Sequence, residues 1–139
     1  MIPTIHWSTI QDDSDPLWDL SRGLYAYLAP DGKEILYIGK VDGTTIRERW
    51  NRPAKENFWD DLERERHIRK HIVIGGEIEL NAGDRLTREL LADIESLLIA
   101  EVDTWGNIQS RNSRISRPGL RLRCLGNWPL KKRELYDVG

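Results

Sequence analysis

The feature that most constrains the fold of this chain is a β-hairpin over residues 23–39. Two runs rich in strand-forming residues, GLYAYLA and EILYIG, flank the turn residues Pro30-Asp31-Gly32. Proline presets the first central turn position, aspartate suits the second, and glycine accepts the left-handed conformation that follows. The sequence therefore predicts two antiparallel strands joined by a three-residue loop, with a type I turn and Gly32 in the left-handed region.

The length of that loop sets which side chains share a face of the hairpin. A three-residue loop pairs Ala29 with Lys33, and this register places Tyr25 opposite Tyr37. Because side chains alternate between faces, Tyr25, Tyr27 and Tyr37 then lie together. The other face carries the aliphatic residues Leu24, Ala26, Leu28, Leu36 and Ile38. A four-residue loop would instead put Tyr25 and Tyr37 on opposite faces.

The rest of the chain shows helical periodicity with one further strand. Residues 45–48 (TIRE) form a capping box, so a helix should start near Ile46, and Pro53 should stop it early. A second helix is expected at about 55–66, and a strand at 71–80, where Gly75-Gly76 marks a bulge or a close approach. The longest helix should run from about 86 to 103. Its apolar stripe comprises Leu86, Leu90, Leu91, Ile94, Leu97, Leu98 and Val102.

These elements fit one domain. A chain of 139 residues supports a single hydrophobic core. Residues 1–21 are expected to be a lead-in segment that packs onto the domain, 22–112 the core, and 113–139 a basic C-terminal extension, with a late strand around residues 120–124. We therefore predict an α+β fold, in which a small mixed or antiparallel sheet is flanked by helices.

Composition points to a cytoplasmic protein without a membrane partner. No apolar run approaches 18 residues, and the N-terminus has no basic start followed by an apolar stretch. The single cysteine, Cys124, excludes an internal disulfide and fits a reducing compartment. The oligomeric state is left open.

Charge is distributed unevenly, although the net charge is only −2. Residues 108–133 carry eight lysines or arginines and no acid, whereas residues 1–107 carry 13 basic and 21 acidic residues. Such a basic stretch is typical of a phosphate-binding surface, and a solvated C-terminal surface is the alternative. The arginines expected to contact nucleic acid are Arg111, Arg114, Arg117 and Arg121.

Several common catalytic motifs are missing from the sequence. It has no GxSxG elbow and no Walker loop. His67 and His71 are four residues apart, but the residues between them lack the glutamate of zinc proteases. We therefore prefer a surface or boundary position for these histidines over a metal site.

Two tripeptides on the hairpin resemble the signature of the GIY-YIG nuclease family. Gly23-Leu24-Tyr25 corresponds to the GIY tripeptide, with leucine in place of isoleucine, and Tyr37-Ile38-Gly39 is identical to the YIG tripeptide. Lys40 follows the second tyrosine by three residues and Arg47 by ten, as in the excision-repair nuclease subunits that carry this domain. Homing endonucleases also belong to the family. The resemblance covers roughly residues 23–112.

Further along, the longest helix carries the third part of the resemblance. Glu95 opens the run ESLLI, which is similar to the glutamate motif of the family's third helix. Asn107 follows at the spacing found in the repair subunits, and Asn112, in the basic segment, is the alternative. Some members carry a histidine just after the arginine helix begins, whereas residues 49–51 here are arginine, tryptophan and asparagine.

The resemblance implies a divalent-metal-dependent endonuclease that hydrolyses phosphodiester bonds in DNA, with RNA not excluded. In the family one metal ion binds the glutamate, a tyrosine activates water, and an arginine binds the transition-state phosphate. The residues onto which these and supporting catalytic roles fall are Tyr25, Tyr37, Lys40, Arg47, Glu95 and Asn107.

Each assignment has a physical reason. A lone carboxylate at the edge of a helix stripe, Glu95, suits Mg²⁺ or Mn²⁺, which take oxygen ligands and retain waters. Arg47, in the first turn of a helix, joins its guanidinium to the positive end of the helix dipole. A nearby cation or metal would lower the pKa of Tyr25 toward a general base, and Lys40 is the nearest cation in sequence.

Structural alternatives stand beside these roles. The three tyrosines also suit simple aromatic packing, the role we assign to Tyr27. Glu101 is the rival carboxylate, because it projects nearer the middle of the helix stripe. A catalytically inactive GIY-YIG domain that binds nucleic acid or a protein partner is the alternative function. We favour an enzyme because Tyr25, Arg47 and Glu95 occur together. Which DNA structure or sequence is cut is not specified.

Overall fold

The computed structural model describes residues 2–102, 104–110 and 119–137. Within these residues six strands form one sheet, namely β1 (Thr4–Thr9), β2 (Arg22–Leu28), β3 (Ile35–Asp42), β4 (Ile72–Glu79), β5 (Arg121–Gly126) and β6 (Glu134–Tyr136). The α-helices are α1 (Ile46–Trp50), α2 (Pro53–Arg66) and α3 (Arg88–Glu101). Short 3₁₀ segments cover Pro16–Asp19 and Trp105–Ser110. The α+β class is confirmed.

The sheet is mixed and has the strand order β3-β2-β4-β1-β5-β6. Neighbouring strands are antiparallel except β1 and β5, which are parallel. Residues 4–9, expected to belong to a lead-in segment, instead form β1 in the middle of the sheet. The expectation was wrong because the alternation there is short, with only Ile5 and Trp7 fully buried.

The hairpin of β2 and β3 differs from the prediction in two ways, a longer loop and a bulge, and their effects on which face the side chains occupy cancel. Its loop has four residues, since the Ala29 N–H donates to the Glu34 carbonyl at 2.9 Å. Such a loop alone would put Tyr25 and Tyr37 on opposite faces. A bulge next to Leu28 shifts the register by one more residue, so that Tyr27 pairs with Tyr37 and Tyr25 with Gly39. The predicted pairing of Tyr25 with Tyr37 was therefore wrong.

The predicted sharing of a face survives this change of register. Tyr25, Tyr27 and Tyr37 lie on one side of the sheet, in the cluster that also holds Ile46 and Val73. The turn itself is as expected, because the Gly32 N–H donates to the Ala29 carbonyl at 2.8 Å and Gly32 has φ 72°. Leu36, expected with Leu24 on the opposite face, instead contacts Leu62 of α2, since it is the extra residue of the bulge.

Helices cover both faces of the sheet. α3 packs its predicted stripe on the face that carries Leu24, Ala26 and Ile38. α1, α2 and the first 3₁₀ segment cover the face that carries the tyrosines. The capping box at Thr45 and Glu48 forms as predicted. Thr87 caps α3 through its side chain, and this cap starts the helix two residues after Leu86.

Glycines in β4 allow the close approach that their sequence predicts. A Cβ on Gly75 would lie 2.7 Å from Leu17, and one on Gly76 2.8 Å from Ile5. The register of β4 against both neighbours runs without a shift there. None of the helices in the described ranges is long and apolar enough to cross a membrane.

Candidate active site

Three tyrosines form the floor of the candidate site. The ring centroids of Tyr25, Tyr27 and Tyr37 lie 5.4 to 6.0 Å apart. Tyr25 and Tyr27 are 2% and 0% exposed, whereas Tyr37, on the edge strand β3, is only partly buried. Tyr37 is therefore the phenol that a substrate can reach.

A hydrogen bond orients this phenol. Tyr25 donates its hydroxyl hydrogen to the Tyr37 hydroxyl oxygen. Burial raises the pKa of both groups above the usual value, most strongly for Tyr25, which also loses its donated hydrogen bond on ionisation. Of the two, Tyr37 is the better placed to act on water. Tyr25 holds it in position.

Gly39 makes this arrangement possible. It pairs with Tyr25 across the hairpin, and a Cβ at position 39 would lie 2.5 Å from the Tyr25 hydroxyl oxygen. The tyrosine ring thus lies across the backbone of the opposite strand. Only glycine leaves room for it there.

Gly39→Ala is expected to destabilise the fold by about 1–3 kcal/mol, because the added methyl group overpacks the Tyr25 ring. Urea unfolding measures this change in the free energy of unfolding. In a Tyr25→Leu background the same substitution should cost clearly less, so a double-mutant cycle isolates the contact. An equal cost in both backgrounds would contradict the steric explanation.

Arg47 does not lie with the tyrosines. Its Nη2 donates to the Asp13 carbonyl at 2.8 Å, its Nε lies 3.5 Å from an Asp19 carboxylate oxygen, and its guanidinium lies 5.7 Å from the Trp18 ring centroid. The side chain thus joins α1 to the acidic N-terminal segment. Its predicted role at the phosphate stays a prediction, and its neighbours give it a structural task.

Arg49 occupies the place expected for Arg47. Its positive charge acts on four groups of the site, namely Tyr25, Tyr27, Tyr37 and Glu95. Its Nε is buried and has no hydrogen-bond partner among the described residues. The sequence carried a signal for this residue. Ile46 is the buried residue of α1, and position 49 lies three residues on, along the same side of the helix.

Glu95 lies on α3, which packs on the opposite face of the sheet from the tyrosines. It interacts with Tyr37 at the edge strand β3. It lies partly buried at the margin of the α3 stripe, as predicted, and accepts the backbone N–H of Lys40. Burial raises its pKa, while the charges of Lys40 and Arg49 oppose that rise. Its charge also acts on Tyr37. Lys40 therefore accompanies Glu95, and it is not the cation that acts on Tyr25.

The rival carboxylate lies elsewhere. Glu101, at the last position of α3, has a carboxylate oxygen 3.5 Å from the Lys132 Nζ. That ion pair ties the helix to the segment before β6. The structural role considered for Glu101 agrees with this contact.

Asn107 braces the edge strand. Its side-chain oxygen accepts the Ile38 N–H at 2.8 Å and its amide donates to the Ile38 carbonyl at 2.9 Å. The Thr104 hydroxyl donates to the same oxygen at 2.7 Å. Asn107 is 4% exposed, so it holds the backbone between Tyr37 and Gly39 in the way a neighbouring strand would. This contact gives it a positioning role. Asn112 lies outside the described residues.

A second cation that the sequence did not single out lies over the tyrosines. The Lys55 Nζ, from α2, is 4.0 Å from the Tyr37 ring centroid and 5.2 Å from that of Tyr27. Lys55 is partly buried. No pattern in the sequence of α2 marks this lysine as part of the site.

Other expected residues lie away from this cluster or outside the described part. Arg111, Arg114 and Arg117 are not among the described residues. Arg121 opens β5, with its guanidinium 5.5 Å from the Tyr136 ring centroid, toward the opposite end of the strand order from β3.

The histidine pair has separate structural surroundings. His67 ends α2 in a left-handed conformation with φ 56°. His71 stacks on Trp59 with ring centroids 4.1 Å apart, and burial lowers its pKa to about 4. The boundary positions preferred from the sequence agree with this placement.

Glu95 is the carboxylate of the site that could bind a divalent metal ion. Glu95 is a carboxylate whose burial is not fully offset by its neighbours, so a cation beside it would relieve that cost. The described residues contain no cluster of three or more His, Cys, Asp or Glu side chains that could hold a metal. Mg²⁺ accepts such a sparse protein shell, because it retains several waters and takes substrate phosphate oxygens.

Comparison of the chain with models of known protein families, with curated proteins and with solved structures found no match. The resemblance to GIY-YIG nucleases therefore rests on the residues of the chain itself.

Proposed function

We propose that the protein is a divalent-metal-dependent endonuclease that hydrolyses phosphodiester bonds in DNA. The observation that carries the proposal is the electrostatic interaction among Tyr37, Arg49 and Glu95, which come from β3, α1 and α3. The charges of Arg49 and Glu95 both act on the ionisation of Tyr37, and the charge of Arg49 acts on Glu95. A metal-assisted phosphodiester hydrolysis uses three kinds of group, namely a group that orients water, a cation for the phosphate and a ligand for the metal.

In the proposed reaction Tyr37 orients the attacking water through its hydroxyl oxygen. Tyr25 fixes that oxygen by donating to it, and Asn107 fixes the backbone next to it. Because burial raises the pKa of Tyr37, the phenol is protonated in the free protein at neutral pH. A metal ion on Glu95 would supply positive charge to the phosphate and to a bound water.

Arg49 is the proposed phosphate ligand. A buried guanidinium nitrogen without a partner is costly unless an anion binds nearby. A phosphate oxygen would offset that cost, and charge building up on the phosphorus oxygens would strengthen the contact. The basic stretch of residues 108–133 supports a nucleic acid as the carrier of this phosphate.

Incubation with supercoiled plasmid is the test of this function. With Mg²⁺ or Mn²⁺ we expect nicked and linear products on an agarose gel, and with EDTA no cleavage, because no metal ion then stabilises the charge on the leaving oxygen. Single-stranded and branched DNA define the preferred substrate, and RNA is included. A protein that binds DNA but cuts none of these substrates in either metal would contradict the enzyme and favour the binding-only alternative.

A further inference from the structure

Lys55 lies in an aromatic and cationic environment. Its ammonium group is 4.0 Å from the Tyr37 ring centroid, 5.5 Å from that of Phe58 and 5.8 Å from that of Tyr25. In the described part of the chain no carboxylate lies within ion-pair distance of it. The ring faces attract a cation, but they do not neutralise its charge.

Like charges surround this lysine. Burial lowers the pKa of Lys55 to about 8, and the charges of Arg49 from α1 and Arg52 at the N-cap of α2 act in the same direction. Arg52 makes no side-chain cap for the helix. The first turn of α2 thus brings two cations to the positive end of a helix dipole, where cations are unfavourable.

In the ranges that the structure describes, none of these three cations lies within ion-pair distance of a carboxylate, so their mutual repulsion is costly in the free protein. Burial of Lys55 and the unpartnered Nε of Arg49 add to this cost. An anion that bound between them would offset this repulsion. The helix dipole would favour the same anion.

We propose that Lys55, Arg52 and Arg49 form a phosphate-binding subsite that holds the nucleic-acid strand beside the tyrosines, with Lys55 bound to the phosphate in its charged form. This inference rests on the proposed function, because it takes the ligand to be the substrate's backbone. Glu95, on α3, serves the metal, whereas this subsite needs none.

The proposal makes binding depend on pH with a defined sign. Below pH 8 Lys55 is already protonated, so affinity is at its plateau. Above pH 8 binding must first add a proton, so affinity falls by up to about tenfold per pH unit until the pKa of the bound form is reached.

Other titratable groups face this cluster. Those on β2 and β3 are the phenols of Tyr25, Tyr27 and Tyr37, whose pKa values burial raises above their ordinary value of 10. His71, which contacts Tyr27, has a pKa of about 4 and stays neutral. Glu95 faces Tyr37 from α3, and Glu56 is exposed in the first turn of α2. Replacing Lys55 alone isolates its own contribution from theirs.

The experiment measures binding in EDTA, where no metal-dependent cleavage occurs. Fluorescence anisotropy follows a short single-stranded oligodeoxynucleotide at constant ionic strength between pH 6.5 and 9.5. For the unaltered protein we expect affinity to fall about tenfold between pH 7 and 9. Lys55→Arg should keep the affinity and lose this pH dependence, because arginine stays charged. Lys55→Met should bind about tenfold more weakly at pH 7, with no pH dependence.

Controls separate this subsite from general charge effects. Lys70→Met removes an exposed lysine and should leave the pH profile unchanged. Competition by inorganic phosphate distinguishes two ligands. Displacement of the oligodeoxynucleotide shows that free phosphate binds the subsite, and no displacement shows that the subsite binds only a nucleic-acid strand. A flat profile for the unaltered protein, or an unchanged profile for Lys55→Met, would overturn the subsite. Retained pH-dependent binding without any cleavage would instead overturn only the proposed nuclease.

Discussion

Glu95→Gln is expected to lower metal-dependent cleavage by about 10³-fold or more, because the amide cannot offer a metal ion the negative charge of a carboxylate. The fold should persist. Glutamine keeps an oxygen that can accept the Lys40 N–H. Plasmid cleavage in Mg²⁺ measures the rate, and thermal unfolding measures the stability.

The stability of this variant has a predictable sign. Burial raises the pKa of Glu95 in the folded protein, so its charged form opposes folding at pH values above the unfolded pKa. A neutral glutamine removes that cost. The free energy of unfolding at pH 7 should therefore equal or exceed that of the unaltered protein.

Glu101→Gln is the matched control on the same helix. It breaks an ion pair with Lys132 at 3.5 Å, whose contribution at the surface is about 0–1 kcal/mol. Cleavage should be unchanged within about twofold. If Glu101→Gln abolished cleavage while Glu95→Gln retained it, the metal would lie at the other carboxylate.

Arg49→Gln is expected to lower kcat by about 10²–10³-fold, the loss typical of removing one donor to the transition-state charge. Arg47→Gln should stay within about threefold of the unaltered rate. Arg47 contacts Asp13 and Asp19, so its removal should affect the N-terminal segment more than the phosphate. Initial rates on plasmid, with circular dichroism to check the fold, make the comparison.

This pair of variants also separates two assignments of the phosphate ligand. Counting ten residues from Tyr37 selects Arg47, whereas the side of α1 that carries Ile46 selects Arg49. A large loss in Arg47→Gln with little effect in Arg49→Gln would restore the assignment by spacing and remove the basis for the proposed phosphate contact.

The hairpin shows how far local sequence reaches. Pro30, Asp31 and Gly32 specified the turn, and Gly32 is left-handed as expected. The loop nevertheless has one residue more than expected, and the bulge at Leu36 compensates for it. Packing selects the bulge, because it keeps Tyr37 on the same side as Tyr25 and seats Leu36 against Leu62 of α2.

The capping box at Thr45, the α3 stripe and the margin position of Glu95 follow from the sequence alone. Backbone hydrogen bonding and apolar periodicity within one element specify each of them. The tertiary structure alone decided the place of β1, the position of Lys55 over the tyrosines, and the hydrogen bonds between Asn107 and Ile38. These three features depend on which elements become neighbours in the fold. The spacing of residues along the chain does not show which neighbouring element a long side chain will contact.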